Sequence, residues 1–280
     1  MDKKVNQESR ISRMFFGGFS SATALLITHP LDCIKLNVQA GTWKAREVIR
    51  YYYFYKKGMY KGILSSMSRS MVNCNLRFEL YEEARRRNLL NSMERKVLAA
   101  SLSGAIGGFC VTPMAKVHIR TQTDNVLPPD KRRHYTSLSD GLQRIYHEGG
   151  ITKMFAGAGI SSIRGAMNSI GQIALYDETK FQLLKHPDMF KDNFSTMFIS
   201  SVAAGFAATL LQQPFEVVQT KLLSAAKYRN CMEVIRETKR KNGLSGFYKG
   251  LVPGFVRIIP QTVITYLVWE QLRINYGELV

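Results

Sequence analysis

Three arginines carry the sharpest chemical signal in this 280-residue chain: Arg69, Arg164 and Arg257. Each stands 13 positions before an acid, Glu82, Asp177 and Glu270. Each acid follows an aromatic (Tyr81, Tyr176, Trp269) and precedes a base by three (Arg85, Lys180, Arg273). Thirteen helical residues span about 20 Å, so the pattern predicts three guanidinium groups at one depth, far below an end lined with charges. Guanidinium forks match carboxylate and phosphate two bonds at a time. Three of them around one space would suit a small dianion. One turn beyond each arginine stands an amide, Asn73, Asn168 or Gln261. The i,i+4 spacing puts it on the arginine's side of the helix, where it binds the solute, holds the guanidinium or simply lines a wet cavity. Arg77, two turns past Arg69, either enlarges this site or pairs with Glu79 or Glu82.

The elements that position these groups recur three times. Prolines break otherwise apolar stretches at HPLDCIKLNVQA, VTPMAKVHIRTQ and QQPFEVVQTKLL. Pro30, Pro113 and Pro214 lie 83 and 101 residues apart, an internal repeat of roughly a hundred. An aromatic-x-Gly triplet follows in each unit: Tyr60-Lys61-Gly62, Phe155-Ala156-Gly157 and Tyr248-Lys249-Gly250. Each unit therefore reads as two long helices. The first ends near its proline and charges. The second runs from the aromatic-x-Gly to the acid–base pair. Between them the mixed segments 43–57, 138–148 and 228–241 read as amphipathic surface helices.

Thirty-nine Lys and Arg against 21 Asp and Glu give a net charge of +18, which calls for an anionic partner. Polar residues recur inside helices rich in Gly and Ala. Such groups at membrane depth face a water-filled cavity and carry function. Small residues four apart, as in Ala100, Gly104 and Gly108, let membrane helices approach closely. A soluble basic helical-repeat binder explains the repeat but not these segments. The start, MDKKVNQESRISR, has no secretory pattern. Cys33, Cys74, Cys110 and Cys231 have no metal or disulfide spacing. No phosphate-binding Gly-rich loop, HExxH or GxSxG occurs, so an enzyme is not expected, nor a metal, nor a nucleic-acid partner.

The repeated Pro-x-acid-x-x-base and aromatic-base-Gly elements resemble the signature of the mitochondrial carrier family, over about residues 11 to 277. Within it, the stretches THPLDCIKL, RGAMNSIGQIALYDETK and IIPQTVITYLVWEQLR are most similar to the carriers of small dicarboxylates. The resemblance implies an all-α membrane protein of three tandem repeats, residues 11–90, 92–187 and 193–277. Six transmembrane helices and three short matrix-side amphipathic helices would form a pseudo-threefold bundle in the inner mitochondrial membrane. A functional monomer would exchange malate, succinate or similar dianions for phosphate, sulfate or thiosulfate by alternating access. A carrier of a different anion and a proton-leak carrier share the same arginines. The family's matrix gate falls here on Asp32–His118, Ala115–Gln219 and Glu216–Lys35, braced at Gln39 and Gln122, with Leu223 in the third brace position. Its cytoplasmic gate falls on Arg85–Asp177, Lys180–Glu270 and Arg273–Glu82, with Tyr81 and Tyr176 as braces. No organic cofactor is implied, but the helix starts at Gly62, Gly157 and Gly250 are where the family holds cardiolipin phosphates. A full cytoplasmic gate against a weakened matrix gate leads us to expect a resting bias toward the matrix-open state.

Overall fold

The structure is a computed structural model that describes residues 2–41, 46–50, 60–88, 91–124, 127, 132–185, 194–224, 228 and 230–276; side chains are described at these positions except 2–15, 78, 173–175, 177, 194, 195, 197, 266, 269, 270 and 273–276. It is all α among the described residues. Six long helices are α1 (Asp2–Ala40), α2 (Ile63–Arg86), α3 (Met93–Asp124), α5 (Ala158–Leu184), α6 (Phe194–Ser224) and α8 (Leu251–Tyr276). The shorter α4 (Leu138–Met154) and α7 (Cys231–Asn242) join the pairs of repeats two and three, and residues 46–50 are helical in repeat one. The long helices pack in chain order, α1 on α2, α2 on α3, α3 on α5, α5 on α6, α6 on α8, and α8 back on α1, which closes a ring.

The odd helices do not end at their prolines. Pro30, Pro113 and Pro214 lie inside α1, α3 and α6, which run on for ten or eleven residues to Ala40, Asp124 and Ser224. Proline removes one ladder hydrogen bond and bends a helix, but flanking packing can carry the helix through. The charges after each proline therefore sit on helix, turned into the ring. The even helices begin as the sequence predicts. Gly62, Gly157 and Gly250 have φ of 79°, 95° and 81°, left-handed backbone that a side chain would strain. In α4 the helix breaks at Gly149 and Gly150, so its regular part matches 138–148. Ser137 accepts from the Asp140 N–H at its start, while the Thr136 N–H bonded to Asp140 holds that carboxyl below its usual range. The α7 helix fits the predicted 228–241, and of 43–57 only 46–50 lies within the described residues.

Burial is inverted relative to a water-soluble core. Buried positions include Thr28, His29, Asp32, Lys35, Asn37 and Gln39 on α1 alone. Ile27, Leu98, Leu102, Phe109, Val252 and Leu267 face outward, 49 to 70% exposed. Helices with polar interiors and apolar exteriors belong in lipid. Among the described residues only α3 holds an 18-residue window apolar enough to pass a spanning test by hydropathy, mean 1.6, because the inner faces of the other helices are so polar. Close crossing supplies the adhesion. A Cβ on Gly104 would meet the Gly165 carbonyl oxygen at 2.4 Å, and one on Gly108 the Ser161 oxygen at 2.4 Å, so α3 and α5 touch backbone to backbone.

Candidate functional site

The three arginines converge as their spacing predicts. Arg69 from α2, Arg164 from α5 and Arg257 from α8 line one central cavity with Asp32, Glu216, His118, Gln212 and Gln219. Its volume is about 80 Å³. The Nε of each arginine is buried without a hydrogen-bond partner. Arg164 Nη1 donates to Gln212 Oε1 at 3.3 Å, and the described ion pairs include neither Arg164 nor Arg69. Three partly unsatisfied guanidinium groups at one level can donate to an anion with several acceptor oxygens.

Above it opens a wider vestibule of about 790 Å³, lined by Ser21, Arg77, Lys96, Gln172, Gln261, Thr262 and Thr265, with Tyr81 and Tyr176 at its rim. Arg77 settles on this wall: Nη2 donates to Ser169 at 2.9 Å and Gln172 at 3.0 Å. Glu79 and Glu82 instead meet Arg86 and Arg85 of their own helix. Gln261 also lines the vestibule, fixed by Thr28, whose hydroxyl donates to Gln261 Oε1 at 2.5 Å. The other two amides depart from the prediction. Asn73 lies against Gly107 of α3, and neither it nor Asn168 lines the two cavities.

At the proline end the ring is shut. Lys35 Nζ and Glu216 meet at 2.8 Å across α1 and α6, with side chains 3 and 15% exposed. The expected Asp32–His118 pair is not made: Asp32 Oδ1 lies 3.2 Å from Arg257 Nη1, while His118 Nδ1 has no partner. An imidazole is a cation only when protonated, whereas a guanidinium is always charged. Gln219 turns from Ala115 and donates to Ser161 at 2.7 Å. Gln39 and Gln122 brace, but not the ion pairs. Gln39 accepts from Thr220. Gln122 accepts from the Cys33 thiol at 2.8 Å, meets His29 at 3.1 Å and donates to the Lys61 carbonyl.

Two features of this closure escape the sequence reading. Leu36, Ile119 and Leu223, one from each odd helix, form a buried apolar plug, and the first two are also the cavity's floor. A Cβ on each left-handed glycine would also press on the neighbouring repeat: Gly62 on Gln122, Gly157 on Leu223, Gly250 on Gln39, at 3.3, 2.9 and 2.9 Å. Gln39, Gln122 and Leu223 share one register, nine residues after their prolines. The signal was present as that register, but only the fold reveals its partner. The structure has the proline end closed, the opposite form to the matrix-open one, and packing seals it without a complete set of charges.

At the opposite end, Arg85 is 70% exposed and lies 3.4 Å from Glu82 of its own helix. The side chains of Asp177, Glu270 and Arg273 lie outside the described residues.

A ring of six lipid-facing helices around a polar cavity, open at one end and plugged at the other, defines a membrane solute carrier. The mitochondrial carrier protein family matches the chain three times, at residues 6–92, 90–187 and 190–278. The chain belongs to the mitochondrial carrier family, whose members are transporters and not enzymes, and it is a multi-pass protein of the inner mitochondrial membrane. It is 34% identical to a mitochondrial dicarboxylate carrier of Caenorhabditis elegans, covering 97% of both chains. It is 30% identical to a probable mitochondrial 2-oxoglutarate/malate carrier of Dictyostelium discoideum, over 97% of this chain and 92% of that one. With a mitochondrial citrate transporter of Aspergillus niger it shares 31% identity over 95 and 90%. By this family's signature the closed proline end is the matrix side.

Proposed function

We propose that the chain exchanges small dicarboxylates such as malate or succinate for phosphate, sulfate or thiosulfate, by alternating access through the central cavity. The observation that carries this reading is the convergence of Arg69, Arg164 and Arg257, one per repeat, with unpartnered Nε groups on one space. A dianion with two carboxylates can take a fork from two of them and a further bond from the third. Gln261 and Arg77 on the vestibule wall offer it donors on the way in. Two relatives named for dicarboxylates or oxoglutarate and malate support the substrate class.

In this reading Asp32, Lys35, His118, Glu216, Gln39 and Gln122 serve the matrix gate. Glu82, Arg85, Asp177, Lys180, Glu270 and Arg273, with Tyr81 and Tyr176, close the cytoplasmic one when the matrix end opens. The helix starts at Gly62, Gly157 and Gly250 serve as the cardiolipin sites, since the N-terminus of a helix favours a phosphate, and the carrier works as a monomer.

Purified protein in liposomes should exchange labelled malate for internal malate or phosphate. Arg164→Ala should abolish exchange while the unfolding temperature in detergent stays near that of the parent. Malate exchange retained by that variant would refute the site. Uptake of citrate in place of malate, from a panel of anions, would move the chain to a tricarboxylate class. Proton conductance without anion exchange would move it to a leak.

A further inference from the structure

The three arginines of the central cavity are not equally available to an anion. Two carboxylates, Asp32 and Glu216, line the same cavity. Glu216 is offset by Lys35 at 2.8 Å. Asp32, 6% exposed, has no such base from the odd helices: His118 stands where the repeat places one, and its Nδ1 is buried without a partner. Among the described residues the cation that reaches Asp32 is Arg257 of α8, Nη1 to Oδ1 at 3.2 Å. The described ion pairs include neither Arg69 nor Arg164. The cavity therefore offers two uncompensated guanidinium groups and a third that already faces a carboxylate. Arg77 stands apart, in the vestibule, where Ser169 and Gln172 hold it.

Three free guanidinium groups would not tell two carboxylates from three. The occupied one does, through charge. Arg257 has five N–H donors, so it can bond a solute while Nη1 keeps Asp32. A carboxylate drawn to Arg257, however, comes to lie beside Asp32, and like charges a few ångströms apart in a closed site repel strongly. Asp32 Oδ2 is itself buried without a hydrogen-bond partner, so no donor shields it from the newcomer. A dianion avoids the clash by placing its carboxylates on Arg69 and Arg164 and turning a neutral oxygen or carbon toward Arg257. A trianion has no such choice. Rejection of one solute by a fixed repelling charge is a common source of specificity.

We propose that Asp32 sets how many negative charges the central site accepts: seated on Arg257, it admits two carboxylates and turns away a third. It can do so because position 118 holds no permanent base to draw it off. This rests on reading the central cavity as an anion site.

The test uses butyrate, glutarate and tricarballylate, which carry one, two and three carboxylates on related carbon chains. Each is titrated onto purified protein in detergent, and its affinity is read from the rise in unfolding temperature, which needs no working gate. The parent should bind glutarate more tightly than the other two. The central monoamide of tricarballylate keeps the shape with one charge fewer and should regain the affinity of glutarate. Asp32→Asn removes the repelling charge with little change of shape, and His118→Lys gives Asp32 a partner from α3. Each should tighten tricarballylate relative to glutarate by about tenfold or more. A purely structural role for Asp32 would weaken all the anions together and leave that ratio alone. An unchanged ratio in either folded variant would overturn the proposal. So would rejection of the monoamide by the parent, which needs no variant and would make shape the discriminator. A parent that prefers tricarballylate would also overturn it, while the cavity stays an anion site. A parent stabilised by none of the series would bring down the anion-site reading and this inference with it.

Discussion

The two ends of the bundle carry similar charge motifs in opposite circumstances. At the matrix end Lys35 and Glu216 meet across two repeats, almost out of reach of solvent. At the cytoplasmic end Arg85 lies on Glu82 of its own helix, largely in solvent. The same acid–base signal thus costs and contributes very different amounts. A buried pair is expensive to break from one side because the survivor is stranded. An exposed i,i+3 pair is screened and loses side-chain entropy on forming. The matrix end also holds an apolar plug beneath the ions, which has no counterpart at the other end among the described residues.

The largest expected effect comes from stranding a buried charge. Lys35→Ala leaves Glu216 unpaired and should destabilise the closed form by about 3–5 kcal/mol. Thermal unfolding in detergent checks this, and a shift no greater than that of an exposed pair would erase the contrast. Next comes the plug. Leu223→Ala removes most of a side chain that is 1% exposed and should cost about 2–4 kcal/mol. It should also raise the labelling rate of a cysteine placed on the matrix side of Leu36. Labelling that stays at the parent rate would show that the ions alone seal this end. The smallest effect is expected at the other end, where Arg85→Ala should change stability by less than about 1 kcal/mol in this conformation. A drop in exchange rate with unchanged melting would then place Arg85 in the opposite, cytoplasm-closed form.

Much of this was legible in the chain. The repeat, the helix starts at the aromatic-x-Gly triplets and the common depth of Arg69, Arg164 and Arg257 follow from spacing and helical rise alone. So does the Lys35–Glu216 pair, through family resemblance. What was not legible depends on neighbours far away in sequence. Nothing local to Pro30 says that α1 continues to Ala40, since packing carries it through the bend. Nothing near Asp32 points to Arg257, which is 225 positions away. Leu36, Ile119 and Leu223 look like ordinary apolar positions until the ring brings them together. Asn73 lies against Gly107 of α3, a neighbour that its spacing from Arg69 does not reveal.

The plug also decides where the membrane voltage falls. Salt can follow the vestibule down to the floor formed by Leu36 and Ile119. The potential is therefore not spread over the full hydrocarbon thickness of about 30 Å. It drops across the thin dry layer between that floor and the matrix. A charge crossing such a layer exchanges about 2.3 kcal/mol per 100 mV. Lys35 and Glu216 stand in the steepest part of that field, so an energised mitochondrion acts on this seal more strongly than on any other part of the bundle.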